Sequence, residues 1–357
     1  MSFMREWTSL VESGSGERGI FNREAAKKQA AKYGRRNADW DFGTNPCSEI
    51  ILRPYQFCNL TEVVVRSTDN IDDLERKVRI ATILGTIQST YTKFPYLRKV
   101  WKRNTEEERL LGVSLTGIMD NKLLTTRNQG LDKTLKHLRE VAVNANAMWA
   151  DRLDIPQSTA ITCVKPSGTV SQLVDSASGI HPRYSRYYIR TVRGDNKDPL
   201  TTFMKDQGIP SEPDIMKPDV TTVFSFPIKA PDGAIVTENL TAIEQLETWL
   251  VYQRYWCCHK PSITVNVKPD EWFEVGAFVH KHFDEMSGVS FLPYNEHTYQ
   301  QAPYQDINAT DYKTLYGCMP ETIDWSRLSE YEEEDTTKSS QTLACTGDVC
   351  EVVDIGA

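Results

Sequence analysis

Apolar residues at Ile71, Leu74, Val78, Ala81, Leu84 and Ile87 recur every three or four positions, which places them on one face of a helix over 71–92. Leu131, Leu135, Leu138, Ala142, Ala145 and Trp149 repeat the pattern over 131–152, and both stripes read as core-facing. An Ala-, Lys- and Gln-rich stretch predicts a helix over 22–34 ended by Gly34, with a polar connection over 35–44. Thr241-Ala-Ile-Glu244 matches a capping box and opens a helix to about Cys258; 270–283 reads as another. Shorter β-branched runs, Val63–Arg66, Ala160–Lys165 and Ser262–Val267, read as strands, and a helix is expected from Val170. Strands alternating with helices indicate an α/β protein.

Composition narrows the class. A chain of 357 residues, 39% hydrophobic and 25% charged, can bury a substantial core as one large or two modest domains. A net charge of -8 argues against polymeric nucleic acid as a partner, because duplex binding leaves a basic footprint. No apolar run of about twenty residues suggests a membrane span, and Met1-Ser-Phe-Met-Arg-Glu6 lacks a signal peptide's apolar core. Eight cysteines without an export signal fit a reducing cytoplasm, a host's if the source is viral.

The densest chemistry lies between 45 and 58. Asn45-Pro-Cys47-Ser-Glu49 is followed by Cys58, so an amide, two thiols and a carboxylate fall within fourteen residues. Pro46 disfavours the helical region for Asn45, and on an extended segment residues 45, 47 and 49 point the same way. An amide can hold a hydroxyl, a carboxylate can take its proton, and a thiol can act as nucleophile or hydrogen-atom donor. Vicinal hydroxyls, as on a ribose, would suit such a face. A cysteine as a small buried hydrophobe is the plainer alternative.

Two further segments carry candidates. Pro166-Ser167-Gly168-Thr169 joins a strand to a helix start, where backbone N–H groups, a helix dipole and two hydroxyls favour an anion; the same residues also make an ordinary turn. Near the C-terminus, Cys345 and Cys350 follow the acidic run 330–335 and the polar stretch 336–341, a pair on a leash suited to thiol–disulfide exchange. Half a zinc site or a structural disulfide are the other readings of that pair. His181–Arg190 is either a basic, aromatic cavity lining or packing with solvated arginines. Cys163, Cys257, Cys258 and Cys318 read as core residues, and His259, His280, His282 and His297 as structural ones; no metal-ligand spacing occurs.

Taken together, Asn45, Cys47, Glu49, Cys58 and the Cys345/Cys350 tail resemble the catalytic half of a ribonucleotide reductase. The eleven-residue interval from Cys47 to Cys58 is similar to that of the adenosylcobalamin-dependent class II enzymes, especially the monomeric ribonucleoside-triphosphate reductases. Gly19-Ile-Phe-Asn-Arg-Glu24, Ile51-Leu-Arg-Pro-Tyr55, Pro166–Thr169, Gly179-Ile-His-Pro-Arg-Tyr184 and His297–Tyr304 resemble that family as well. The resemblance implies the second half of a ten-stranded α/β barrel over 1–320, with a central finger loop carrying the radical cysteine, and a flexible acidic redox tail over 321–357.

It also implies roles. Adenosylcobalamin would be the cofactor and a ribonucleoside triphosphate the substrate, with Cys47 as thiyl, Glu49 as base, Asn45 on the ribose hydroxyls and Pro166–Thr169 on the phosphates. Cys58 would reduce the substrate with a cysteine this chain lacks, since none precedes Cys47. Cys345 and Cys350 would then pass electrons from thioredoxin or a similar dithiol. The missing partner cysteine implies a complementing N-terminal polypeptide, or a truncated or split gene product. An inactive remnant and a nucleotide-binding assembly subunit are the competing readings, and a glycyl-radical reductase is disfavoured because no glycyl-radical segment is recognisable.

Overall fold

The structure is a computed structural model that describes residues 2–16, 18–294 and 300–332, with the backbone of 343–346 and 349–352. It divides into two compact units, Met1–Arg183 with Pro231–Tyr294, and Tyr184–Ala230 with Asn295–Ala357.

The first unit contains helices α1 (Ser2–Ser13), α2 (Arg23–Ala31), α3 (Ile71–Gln88), α4 (Lys99–Glu108), α5 (Leu131–Arg152), α6 (Ala242–Tyr255) and α7 (Trp272–Lys281). Its five parallel strands are β1 (Asn59–Val64), β2 (Leu111–Thr116), β3 (Thr162–Cys163), β4 (Thr264–Val267) and β5 (Gly288–Pro293). They lie side by side in chain order: β1 pairs with β2, β2 with β3, and β4 with β5, while a parallel bridge from Val164 to Pro261 links β3 to β4. Gly19–Phe21 adds an antiparallel edge on β5. Parallel neighbours need crossovers, and helices supply them. Successive helices pack on one another, α3 on α5, α5 on α6 and α6 on α7. The sheet does not close into a barrel among the described residues.

One pair of residues shows what each face does. Gly85 of α3 sits against Leu111 and Thr61, whereas the neighbouring positions Leu60 and Gly112 meet Ile50 and Cys58 on the other face. Strand alternation therefore gives one face to the helix layer and the other to the chemistry-bearing loop.

Most predicted elements are present, with instructive shifts. The helix predicted for 131–152 is α5, with Leu131, Leu135, Leu138, Ala142 and Ala145 buried. Asn22 caps α2 and Asn70 makes a capping box for α3. In α3 the stripe drifts: Leu84 is 57% exposed, while Gly85 and Thr86 turn inward. The strand predicted at 63–66 begins earlier, at Asn59, directly after Cys58. Thr241 and Glu244 form the predicted capping box of α6.

The second unit is a four-stranded antiparallel sheet in the order Tyr304–Asp306, Tyr187–Asp195, Thr221–Lys229, Ser211–Pro213. Tyr184, Tyr188 and Tyr304 cluster, with the Arg190 guanidinium 4.5 Å from the Tyr304 ring, which favours packing for the 181–190 stretch. Leu343–Thr346 and Val349–Val352 form a hairpin with Cys345 directly opposite Cys350. Of the predicted leash over 330–341, Glu330 ends the short helix Trp325–Glu330, whereas residues 333–341, the side chains of Cys345 and Cys350, and His297 lie outside the described residues.

Candidate active site around Cys47 and Glu49

Gly43–Thr44 pairs antiparallel with Ile51–Leu52, so residues 45–50 form the loop of a short hairpin. The expected extended, alternating segment is instead a tight turn. Ser48 donates its N–H to the Asn45 carbonyl at 2.9 Å, and the Ile50 N–H donates to Asn45 Oδ1 at 3.0 Å. Ser48 adopts a left-handed φ of 63°. That reversal parts the side chains which alternation would have aligned: Cys47 is exposed and Glu49 fully buried. The competing picture of Cys47 as a buried hydrophobe does not hold. Asn45 spends its carbonyl oxygens on the turn, and among the described residues its Nδ2 makes no hydrogen bond.

Glu49 is the centre of the site. Its Oε1 accepts from Lys165 Nζ at 2.9 Å, and its Oε2 is buried with no hydrogen-bond donor among the described residues. An unsatisfied buried carboxylate oxygen costs on the order of 1–3 kcal/mol or more, which an entering hydroxyl would relieve. Burial works against the charge of Lys165, but the hydrogen bond and charge of Glu49 outweigh it and hold its pKa above the ordinary value, with Cys47 adding to the effect. Lys165 is thus a cation shared by the carboxylate and the thiol-bearing turn.

Cys58 stands at the start of β1, over Gly112. A Cβ at position 112 would lie 3.3 Å from the Cys58 sulfur and would press on Leu60 Cδ2, so the glycine leaves this thiol room on the sheet. Burial, and then the charge of Glu49, push the Cys58 thiol well above its ordinary pKa. It stays protonated near neutrality.

The segment between the two cysteines is anchored by a buried ion pair. Arg36 reaches Glu108 with Nε at 3.1 Å and Nη2 at 2.9 Å, both side chains 6% exposed or less. Arg36 Nη1 also donates to the Ile51 carbonyl at 2.8 Å, and Gln56 donates to Glu108. Asn104 Nδ2 donates to the carbonyls of Pro54 and Tyr55. Nothing in the local sequence around Arg36 or Glu108 announces this pairing across 72 residues.

The Pro166–Thr169 loop follows β3 directly after Lys165, whose own N–H donates to Ser114 Oγ at 2.8 Å. The helix expected from Val170 is a single turn, Val170–Leu173, so its dipole is slight. Ser167 is buried, donating its N–H to Ser178 Oγ and accepting at Oγ from the Ser171 N–H. Gly168 and Thr169 are exposed, and nothing lies within 4 Å of a Cβ built on Gly168. Arg183, bonded to Asp120 and Asp175, ties down the chain beyond.

Cys163, Cys257 and Cys258 are buried as expected, but Cys318 is exposed, near the end of a short helix with no buried residue. His259 is structural: its Nδ1 accepts from the Ile51 N–H at 3.3 Å, which leaves Nε2 to donate to the Leu111 carbonyl at 2.9 Å. Burial, with the charge of Arg36, lowers its pKa from 6.5 to about 3. Between those values the unfolded chain binds a proton that the folded chain does not, so stability rises with pH across the window and is complete above 6.5. His259→Gln is therefore expected to flatten the pH dependence of unfolding between pH 6.5 and 4, where the wild type gains up to ~1.4 kcal/mol per unit. Denaturant titrations at three pH values would check this.

No helix among the described residues is long and apolar enough to cross a membrane. Residues the sequence reading gave no role, Lys165, Lys260, Ser262 and Gly112, line the turn; of these only Lys165 carried a signal, as the cation preceding a small-residue loop.

No family model matches the chain. Over 339 residues it is 30% identical to an adenosylcobalamin-dependent ribonucleoside-triphosphate reductase of Lactobacillus gasseri, covering 84% of this chain and 44% of that protein. It is 29% identical to the protein of the same description from Euglena gracilis, covering 86% and 42%. The fold matches the crystal structure of a B12-dependent class II ribonucleotide reductase with a TM-score of 0.71 at 25% identity, covering 81% of this chain and 44% of that one. An Actinobacillus ureae class Id ribonucleotide reductase alpha subunit shares the fold at a TM-score of 0.53 and 14% identity. The chain spans about half the length of the curated relatives it matches.

Proposed function

We propose that this chain, a homologue of the adenosylcobalamin-dependent ribonucleoside-triphosphate reductases, is the catalytic half of a class II enzyme that reduces ribonucleotides, as triphosphates, to 2′-deoxyribonucleotides. The observation that carries it is the pairing of an exposed thiol, Cys47, with a sealed carboxylate, Glu49, whose Oε2 has no donor among the described residues, beside a second, protonated thiol, Cys58. In this reading the five sequential parallel strands are half of a ten-stranded barrel, the 45–50 turn is its finger loop, and the part matching the rest of the relatives' length supplies the other half.

The donor set fits a radical cofactor on one side and a ribose on the other: the thiol that must meet the cofactor is exposed, and the carboxylate that must meet the sugar is dry. Adenosylcobalamin, when bound, supplies the radical that makes Cys47 a thiyl. Cys47 then takes the ribose 3′ hydrogen. Glu49, beside Lys165, receives the 3′-hydroxyl proton at Oε2 as the 2′-hydroxyl takes a proton from the cysteine pair that includes Cys58 and departs as water. Asn45 Nδ2 holds a ribose hydroxyl, and Gly168 and Thr169, with Pro166 and Ser167 shaping the loop, receive the phosphates. Cys58 and a cysteine of the complementing chain give two electrons and close as a disulfide. Cys345 and Cys350 reopen it and are reset by thioredoxin or a similar dithiol.

The test is conversion of CTP to dCTP with adenosylcobalamin and a dithiol, by this chain alone and mixed with the polypeptide encoded beside it. Activity confined to the mixture is the expected result. No activity in either case would leave the inactive remnant.

A further inference from the structure

We infer that Lys260 is a positioning residue that holds the Cys47 turn in its reversed conformation. This rests on the reading of Cys47 as the reactive thiol. Lys260 stands four residues before β4 and is 1% exposed, yet its Nζ reaches no carboxylate oxygen within ion-pair distance among the described residues. Instead the ammonium donates twice to one residue, to the Ser48 carbonyl and to Ser48 Oγ at 3.0 Å. Ser48 is the residue with the left-handed φ of 63°, a conformation that L side chains other than Asn and Asp seldom adopt unaided.

The surroundings are built to admit this side chain. A Cβ on Gly288, at the start of β5, would lie 2.7 Å from Lys260 Nζ and 3.2 Å from Ser48 Oγ, so the glycine is the socket in which the two meet. The Lys260 N–H donates to the Glu49 carbonyl at 3.2 Å, and Ser262 Oγ donates to the Cys47 carbonyl at 2.5 Å. Three successive carbonyls, of Cys47, Ser48 and Glu49, are therefore received by residues 260 and 262. Burial lowers the pKa of Lys260 from 10.5 to about 7, while the charges of Glu49 and Cys257 oppose the fall. A buried ammonium is costly, and an apolar chain would fill the same space, so what the amine adds is its bonds to Ser48.

The test uses the 357-residue chain without substrate or cofactor. In Lys260→Met the amide protons of Ser48 and Ile50 are expected to exchange at least tenfold faster than in the wild type, while those of α5 keep their rates. The rate of Cys47 alkylation by iodoacetamide, followed by peptide mass spectrometry, should change at least fivefold. Adding Ser48→Gly to Lys260→Met should bring both rates back to within threefold of the wild type, because glycine takes a left-handed φ without help. If Lys260→Met does not fold, Gly288→Ala, which crowds the ammonium, should loosen the same two amides. Unchanged exchange at Ser48 and Ile50 would overturn the inference. So would faster exchange that extends to α5 and is not rescued by glycine, the signature of general loosening. Because no turnover is measured, failure of the reductase reading would leave these rates as they are, and the two ideas fall separately.

Discussion

Cys47→Ala, assayed with its complementing chain, adenosylcobalamin and a dithiol, is expected to form no dCTP and to exchange no 3′ hydrogen, a loss of at least ~10³-fold. The size follows from the chemistry proposed for the turn. Glu49 can remove a hydroxyl proton and Cys58 can deliver a hydrogen, but neither can break the unactivated 3′ carbon–hydrogen bond, so no partial route remains once the thiyl is gone. Cys345→Ser is the informative contrast. In the proposed sequence the tail pair acts after the chemistry, so that variant should complete one turnover at the wild-type rate and then stop unless a small dithiol is added. Quenched single-turnover assays with 3′-tritiated CTP measure both. Deoxynucleotide from Cys47→Ala would remove the central assignment, and loss of the first turnover in Cys345→Ser would remove the tail from its place downstream.

The second large effect concerns stability. Glu108→Ala leaves the Arg36 guanidinium buried without its carboxylate, and removing one partner of a buried pair costs about 3–5 kcal/mol. For a unit of this size that is a fall of roughly 10 °C in Tm. The loss should concentrate on the segment from Ile51 to Cys58, since Arg36 also holds the Ile51 carbonyl and Glu108 also receives Gln56. Replacing both partners, as Arg36→Met with Glu108→Met, should recover more than half of the loss, because no charge is then stranded. A cost of less than about 1 kcal/mol for Glu108→Ala would show that the bonds of Arg36 to the Ile51 carbonyl and Gln56 Oε1 are enough to hold its guanidinium. Thermal and denaturant unfolding of the three proteins decides between these outcomes.

The helices were legible because their information is local. An apolar stripe over 71–87 and the Thr241–Glu244 capping box pick out α3 and α6, of 18 and 14 residues, and an Ala-, Lys- and Gln-rich stretch picks out the nine-residue α2, without reference to the rest of the chain. The strand β2 was not legible: Leu111–Thr116 is buried on both faces and shows no alternation, so nothing in its pattern separates it from a stretch of interior helix.

The sequence by itself determined which groups could do chemistry, an amide, two thiols and a carboxylate between Asn45 and Cys58, because reactivity belongs to residue types and their spacing could be read directly. Only the tertiary structure decided their arrangement. Alternation would have set Asn45, Cys47 and Glu49 on one face, but the reversed Ser48 puts Cys47 outside and Glu49 inside. Lys165 and Lys260, 116 and 211 residues from Glu49 in sequence, supply the charge beside it and the bonds that hold the turn. A turn's conformation depends on which donors reach its carbonyls, and a buried carboxylate's partners on which cations lie beside it; both come from segments that meet only once the sheet has formed.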